Sequence, residues 1–187
     1  MQQLLIITPV KDSIDHTVRT MEAVVQSELD VPHRYVVFND NSTPENTARL
    51  HTEAARLGVE VVDLATLTDH PSPNYLFVLR RCRKEALADD AGLLIVESDV
   101  TVQRDTLQKL FDGATARPNC GIAAAVTVDE EGKINYPYLY ARGKEGQDYD
   151  CKKHCSFCCS LLTPALLKAC DFDRLDDSKN WFDVTIS

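Results

Sequence analysis

Residues 93–100 read Leu93-Leu94-Ile95-Val96-Glu97-Ser98-Asp99-Val100, so that four apolar side chains lead directly into two acidic ones. An apolar run this short predicts a strand that is covered on both faces, as in a parallel sheet. Because side chains alternate along a strand, we expect Glu97 and Asp99 to project on the same side beyond its end. Two carboxylates held close together repel each other unless a cation, a proton or water intervenes. The stretch is therefore either a solvated strand end or a cation site.

Before this stretch, short apolar strands alternate with amphipathic helices. Three strands are predicted by apolar runs, at residues 4–8, 35–38 and 59–62. Apolar residues at helical spacing follow each of them and predict helices at about residues 14–25, 44–57 and 74–89. The first half of the chain is thus built from strand–helix units.

These helices carry further signals at their ends and on their faces. Asp12 or Ser13 is placed to cap the first helix. The second helix is preceded by Ser42 and Thr43, either of which fits a capping pattern, and Gly58 can end it. The third helix carries a basic run, which predicts a solvated face and, as the alternative, an anion contact. The members of that run are Arg80, Arg81, Arg83 and Lys84.

After residue 100 the pattern changes from parallel to antiparallel. A helix is predicted around residues 107–114, followed by strands near 121–128 and 134–140 that a turn at 129–133 connects. The polar segment 141–154 predicts a mobile loop. A strand at 157–162, a short helix at 164–169 and a final element at 181–187 complete the pattern.

This order of elements predicts a three-layer α/β/α, Rossmann-like fold with a mainly parallel sheet and a small antiparallel part. We expect residues 1–187 to form a single domain. In such sheets ligands bind outside the carboxyl ends of the strands. Three polar segments follow such ends, at residues 9–12, 39–43 and 97–99, and we expect them to converge on one cleft.

The composition limits the ligands that the protein can bind. A formal net charge of -9 argues against nucleic acid, and a phosphorylated ligand would need a divalent cation or a local basic patch. No apolar run approaches the ~20 residues of a membrane span, and the start of the chain lacks a basic signal-peptide region, so we expect a cytoplasmic protein. The seven cysteines are then expected to be reduced.

Both common glycine-rich nucleotide cradles are missing from the sequence. The first predicted strand leads into Thr8-Pro9-Val10-Lys11-Asp12-Ser13 instead of Gly-x-Gly-x-x-Gly, and the chain contains no Gly-x-x-x-x-Gly-Lys. A site built from carboxylates would instead hold phosphates through a metal ion. Hard oxygen ligands of this kind suit Mg²⁺ or Mn²⁺.

In their order along the chain, the polar strand ends resemble the successive motifs of family 2 glycosyltransferases of the GT-A fold. The matching pieces are Pro9-Val10-Lys11-Asp12, Asn39-Asp40-Asn41-Ser42-Thr43 and Glu97-Ser98-Asp99. Later segments resemble the acceptor side of that family, at residues 155–162, 164–167, 171–173 and 181–184. The resemblance implies a nucleotide-binding half at residues 1–100 and an acceptor-side half at residues 101–187.

The same resemblance implies a metal-dependent enzyme of hexosyltransferase type that inverts the configuration of the transferred sugar. The implied donor is a nucleotide sugar, with a UDP-sugar favoured, and the implied acceptor is a saccharide, a lipid or another hydroxyl compound, which is compatible with peripheral association with a membrane. Asp99, with Glu97, is implied as the ligand of Mn²⁺ or Mg²⁺, and Asp183 as the catalytic base. The implied nucleotide contacts are Pro9, Val10, Asp12, Asn39, Asp40 and Ser42.

Three positions depart from the family pattern. Phe182 precedes Asp183 where an acidic residue often stands, so the implied base is Asp183 alone. Glu97 stands where the family's Asp-x-Asp motif has its first Asp, and the longer side chain can still reach a metal through water. Asn39 stands where an Asp is usual, which keeps hydrogen bonding but removes one charge. A GT-A-like binding domain without transfer activity is therefore the alternative from a different class.

A cysteine cluster supports two further alternatives. Cys151, Cys155 and Cys158 fit the pattern Cys-x-x-x-Cys-x-aromatic-Cys, which resembles the iron–sulfur motif of radical S-adenosylmethionine enzymes. Together with His154 they also provide the ligand types of a structural zinc site. The radical enzymes carry their motif early in the chain, whereas here it stands late. We therefore expect reduced thiols without a metal.

Overall fold

A six-stranded sheet forms the centre of the protein. The computed structural model describes residues 1–136, 138–151, 153–178 and 182–187. The strands are β1 (Leu4–Val10), β2 (His33–Asn39), β3 (Glu60–Asp63), β4 (Gly92–Val96), β5 (Ile122–Ala124) and β6 (Cys159–Leu162), in the order β3-β2-β1-β4-β6-β5. Strands β1 to β4 are parallel, whereas β6 is antiparallel to both β4 and β5. The predicted mainly parallel sheet with a small antiparallel part is confirmed.

Helices cover both faces of this sheet. They are α1 (Ile14–Val25), α2 (Pro44–Leu57), α3 (Tyr75–Ala88), α4 (Thr106–Thr115), α5 (Pro164–Ala169) and α6 (Phe182–Ile186). On one face, Leu5 and Ile95 pack in a cluster with residues of α3, α5 and α6. On the other face, Leu4 and Leu94 pack with residues of α1 and α4, while α2 packs beside α1 in a third cluster. The alternation of buried side chains along β1 and β4 therefore produces the predicted three layers.

The caps predicted for α1 and α2 are confirmed only in part. Thr43, not Ser42, caps α2, because the Thr43 hydroxyl accepts the Asn46 N–H at 3.3 Å. Gly58 ends the helix with a φ of 70°, a left-handed conformation that glycine adopts without strain. Ser13 precedes α1, but its side chain makes no capping hydrogen bond. Asp12 does not cap α1 either, since its carboxylate binds the start of α2.

The prediction of a strand at residues 134–140 was wrong. Ile134 forms only an isolated bridge with Val128, beyond the turn in which the Asp129 carboxylate accepts two backbone N–H groups. The chain then turns, because the Tyr138 N–H donates to the Asn135 carbonyl, and a 3₁₀-helix follows at residues 139–141. The Tyr138 hydroxyl donates to the Ser156 carbonyl at 3.0 Å, so the side chain anchors this segment to the core instead of extending the sheet.

The basic face of α3 is only partly solvated. Arg80 donates to the Phe172 carbonyl at 3.0 Å and to the Leu175 carbonyl at 3.1 Å. Arg83 donates to the Leu167 carbonyl at 2.9 Å, whereas Arg81 and Lys84 are exposed. Two of the four basic side chains therefore fasten the C-terminal segment to α3, and the predicted solvated face is wrong for them.

None of the described helices has the length and apolar character that crossing a membrane requires.

Candidate functional site

The acidic residues after β4 lie in a tight turn. The strand ends at Val96, and the Val100 N–H donates to the Glu97 carbonyl at 3.1 Å. The Thr20 hydroxyl on α1 donates to the Ser98 carbonyl at 3.0 Å, and the Glu97 N–H donates to the Cys158 carbonyl at 2.9 Å. The turn is thus fixed from both sides. Glu97 and Asp99 face the same space because of this turn, not because of the strand alternation that the sequence suggested.

A cavity of about 220 Å³ opens at this turn. Its lining consists of Pro9 at the end of β1, Tyr75 at the start of α3, and Glu97, Ser98 and Asp99. Glu97 is half-buried and Asp99 is exposed. The structure therefore brings together three of the residues that the sequence singled out, Pro9, Glu97 and Asp99, at the carboxyl ends of neighbouring strands.

Asp183 belongs to the same acidic region. It lies in the first turn of α6, where its carboxylate accepts the Val184 N–H at 2.8 Å. The pKa of Glu97 is raised by burial first and then by the negative charges of Asp99 and Asp183. The pKa of the Cys158 thiol is raised by burial and by the same carboxylates. Negative charge thus accumulates at the cavity, which is the condition under which a cation is attracted. Trp181, which precedes this helix, lies outside the described residues.

Tyr75 is a site residue that sequence reasoning missed. Its hydroxyl is buried and has no hydrogen-bond partner among the described residues, although its ring packs against Phe182 at a centroid distance of 6.0 Å. A tyrosine at the start of an amphipathic helix looks like ordinary core packing in the sequence. Tyr75 is recognised as part of the candidate site only because it lines the same cavity as Glu97 and Asp99.

The loops after β1 and β2 are tied to each other by Asp12 and Ser42. The Asp12 carboxylate accepts the Thr43 N–H at 2.7 Å and the Asn46 side-chain amide at 3.1 Å, while the Asp12 N–H donates to the Ser42 hydroxyl at 2.9 Å. The Thr43 N–H, followed by Asn46, lowers the pKa of Asp12. Asp12 has a φ of 59°, so the loop adopts a left-handed turn there. Both predicted residues lie at the predicted edge of the sheet, engaged with protein groups.

The other predicted nucleotide contacts point inward. The side chain of Val10 is in the hydrophobic core beside α1 and α2. The Asn39 side-chain amide donates to Asp63 at 2.8 Å and to the Thr47 hydroxyl at 3.0 Å. An Asp at position 39 would place two carboxylates in contact.

Asp40 is buried and its carboxylate accepts three hydrogen bonds. The donors are the Ser72 hydroxyl at 2.8 Å, the Asn74 N–H at 2.8 Å and the Asn74 side-chain amide at 2.7 Å. A carboxylate has about four acceptor positions, so roughly one remains for a ligand. The main role of Asp40 in the free protein is therefore to hold the start of α3.

The donor set at the β4 turn fits a hard divalent cation. Mg²⁺ and Mn²⁺ commonly use one or two carboxylates and take their remaining ligands from water and phosphate. Within the described part of the chain, no group of three or more His, Cys, Asp or Glu side chains is arranged to hold a metal ion. Glu97 and Asp99 therefore suit a cation that is completed by a phosphorylated ligand.

The cysteine cluster does not form a metal site in the described structure. Cys151 is exposed and accepts the Lys153 N–H, whereas Cys158 lies beside the Ser156 hydroxyl at 3.1 Å and faces the acidic region. Among the described residues, these cysteines included, no group of three or more His, Cys, Asp or Glu side chains could hold a metal ion. Neither the iron–sulfur nor the zinc alternative is therefore supported.

Comparison with known sequences gives no relative: no family model matches, and no curated protein matches. Comparison of the fold does find similar structures. The mannosyltransferase PcManGT from Pyrobaculum calidifontis, in complex with GDP-Man and Mn²⁺, is 16% identical with a TM-score of 0.62 over 89% of this chain and 46% of that chain. Residues 1–349 of TarS from S. aureus, in complex with UDP, are 14% identical with a TM-score of 0.61 over 98% and 53%.

A third similar structure is glucosyl-3-phosphoglycerate synthase from Mycobacterium tuberculosis in complex with UDP. It is 14% identical with a TM-score of 0.55 over 88% of this chain and 58% of that chain. The chain thus spans about half the length of each of these three structures. Identities this low establish the fold and nothing finer. The chain therefore has the GT-A glycosyltransferase fold.

Proposed function

We propose that this chain is the catalytic domain of a metal-dependent, inverting glycosyltransferase that moves a sugar from a nucleotide-sugar donor to an acceptor hydroxyl. The observation that carries the proposal is the cavity at the β4 turn, where Glu97 and Asp99 meet the charge of Asp183 at the carboxyl edge of the sheet. Ligands of open α/β sheets bind at this edge. The proposal treats residues 1–187 as a single domain.

We expect the nucleotide-sugar donor to bind along the loops that follow β1 and β2. Pro9 lines the cavity, and Asp12 and Ser42 shape the adjoining loops, so this edge is the proposed nucleoside side. Val10, Asn39 and Asp40 support it from inside. A UDP-sugar is favoured as the donor, since similar structures contain UDP, although another contains GDP-Man.

Asp99 and Glu97 are the proposed ligands of the cation. Mn²⁺ is favoured over Mg²⁺ because the PcManGT structure and another structure of the M. tuberculosis glucosyl-3-phosphoglycerate synthase contain Mn²⁺. Held by these two carboxylates, such an ion would supply positive charge to offset that of a departing nucleoside diphosphate. The carboxylates serve to orient that diphosphate at the β4 turn. Burial first, and then the negative charges of Asp99 and Asp183, raise the pKa of Glu97, and a bound cation would offset that negative charge.

Asp183 is the proposed base. Its carboxylate takes the proton of the acceptor hydroxyl while the hydroxyl oxygen attacks the anomeric carbon from the face opposite to the diphosphate. One such displacement inverts the configuration of the sugar. The acceptor is a saccharide, a lipid or another hydroxyl compound.

Turnover of the donor tests this proposal. Release of UDP or GDP from a set of nucleotide sugars would be measured with Mn²⁺ and a mixture of hydroxyl acceptors, for the wild type and for Asp183→Asn. We expect Asp183→Asn to lose at least about 100-fold in turnover, in line with the loss of a general base, while donor binding is kept. Asp90→Asn is the matched control, because Asp90 precedes β4 at the opposite end of the strand.

The second candidate is a GT-A-like domain that binds a nucleotide sugar without transferring it. It is favoured by Asn39, whose amide is committed to Asp63 where the family usually has an acid. Donor binding without any turnover in the wild type, under all acceptor mixtures, would favour this candidate and reject catalysis.

A further inference from the structure

Tyr75 is held in a fixed position at the edge of the cavity. It is the first residue of α3, directly after Asn74, whose N–H and side-chain amide are both bound by the Asp40 carboxylate. Its ring packs at 43° against Phe182, the neighbour of Asp183. Tyr75 therefore connects the two elements on which the proposed donor and base sides of the site depend.

The hydroxyl of Tyr75 is buried without a partner among the described residues. Leaving a buried hydroxyl unsatisfied is destabilising, so proteins normally pair such groups. By comparison, the Tyr35 hydroxyl is paired with Thr8 at 2.9 Å and the Tyr138 hydroxyl with the Ser156 carbonyl. Tyr75 lines the cavity together with Glu97 and Asp99, and its hydroxyl has no partner among the described residues there.

The hydroxyl acts as a donor. A tyrosine hydroxyl has an ordinary pKa of about 10, so the phenol is protonated at neutral pH. A neutral phenol offers one proton, which an oxygen acceptor on the ligand can take as a hydrogen bond. Both phosphate oxygens and sugar hydroxyls meet this requirement.

The position of Tyr75 favours the sugar over the phosphates. In an inverting displacement the sugar lies between the diphosphate, which the β4 turn would orient, and the base on the opposite face. Tyr75 contacts the cavity at Glu97 and Asp99 on one side and packs on Phe182, beside Asp183, on the other. Tyr75 thus borders both the cavity beside the β4 turn and the helix that carries the proposed base.

We infer that the Tyr75 hydroxyl donates a hydrogen bond to the sugar of a bound nucleotide sugar and helps to select that sugar. This inference rests on the proposed function, because it assumes a nucleotide-sugar donor in the cavity. It assigns Tyr75 as a specificity-determining residue.

Tyr75→Phe tests the inference, since it removes the hydroxyl and keeps the ring against Phe182. Calorimetry with Mn²⁺ would compare UDP and GDP with UDP-glucose, UDP-GlcNAc and GDP-mannose. For the sugar nucleotide that the wild type binds best, we expect Kd to rise about tenfold in Tyr75→Phe, while Kd for the matching nucleoside diphosphate changes less than about twofold. Tyr35→Phe is the matched control, and both of its Kd values should stay at the wild-type level.

The Tm of the ligand-free proteins distinguishes a ligand-binding hydroxyl from a purely structural one, because loss of a structural hydroxyl lowers the Tm. Removing an unpaired buried hydroxyl should leave the Tm of Tyr75→Phe equal to or above that of the wild type, whereas Tyr35→Phe should lower it. A lower Tm for Tyr75→Phe would show that the hydroxyl is paired in the free protein and would overturn the inference.

The binding results separate the failure of this inference from the failure of the proposed function. If the wild type binds a sugar nucleotide and Tyr75→Phe binds it equally well, the hydroxyl does not contact the sugar and the inference alone is wrong. An equal loss for the sugar nucleotide and the nucleoside diphosphate would move the contact to the phosphates and also reject it. Absence of nucleotide binding by the wild type would reject the proposed function and this inference together.

Discussion

The carboxylate of Asp40 closes the amino end of α3 by accepting the Asn74 N–H at 2.8 Å. The side-chain amide of Asn74 and the Ser72 hydroxyl donate to the same carboxylate. Because Asp40 lies at the end of β2 and Asn74 precedes Tyr75, this contact connects the sheet edge to the cavity. A residue that the family resemblance assigns to the nucleotide is thus also the residue that positions the helix beside it.

Asp40→Asn should destabilise the protein by about 1.5–3 kcal/mol, since hydrogen bonds to a buried charged group are lost and an amide N–H₂ faces other donors. Denaturant unfolding measures this change. Asp90→Asn, which breaks only the exposed ion pair with Lys168, should change stability by less than about 0.5 kcal/mol. Equal stabilities of Asp40→Asn and the wild type would mean that Asp40 does not hold α3.

Asn39→Asp tests why this position departs from the family pattern. The new carboxylate would lie where the Asn39 amide now donates to Asp63 at 2.8 Å, so we expect a loss of about 1–3 kcal/mol at pH 7. Repulsion raises the folded-state pKa of the pair, so the loss should be complete above that pKa and disappear as the pH falls below the unfolded value of about 3.9. Asn119→Asp, at an exposed position, is the control. A loss that does not depend on pH would exclude carboxylate repulsion.

Glu97→Gln should raise the Tm of the metal-free protein at pH 7. The folded-state pKa of Glu97 is raised by burial, Asp99 and Asp183, so the stability that its protonated form gives is present below the ordinary value of 4.5 and is lost as the pH rises through the folded-state value. The advantage of Glu97→Gln over the wild type should therefore shrink toward pH 4. Thermal unfolding in the presence of a chelator measures it, and a lower Tm at pH 7 would contradict the predicted charge excess.

Much of the fold could be predicted from local patterns. The apolar run at residues 93–96 indicates β4, and Pro44 and Gly58 indicate the two ends of α2. These signals depend only on residues that are neighbours in the sequence. For β6 the sequence indicated only that the strand belongs to an antiparallel region, not which strands it pairs with. The supposed strand at 134–140 failed because Tyr138 finds its partner at Ser156, a contact between segments that no periodicity encodes.

The site was predictable only in outline. Parallel strand ends meet at one edge, so the convergence of Pro9, Glu97 and Asp99 followed from the order of elements. The inward commitments of Asn39 and Asp40 and the unpaired hydroxyl of Tyr75 did not, because each depends on a residue from a distant part of the chain. Side-chain partners, unlike strand ends, are decided by tertiary packing.

The central claim is that the acidic turn after β4 binds a nucleotide through a divalent cation. Calorimetric titration of the wild type and Asp99→Asn with UDP and with GDP, each with Mn²⁺, with Mg²⁺ and with a chelator, tests it most directly. We expect the wild type to bind one of these nucleotides only when a metal is present, and we expect Asp99→Asn to weaken this binding at least about tenfold while Asp90→Asn does not. Metal-independent binding, or the same affinity in Asp99→Asn as in the wild type, would contradict it.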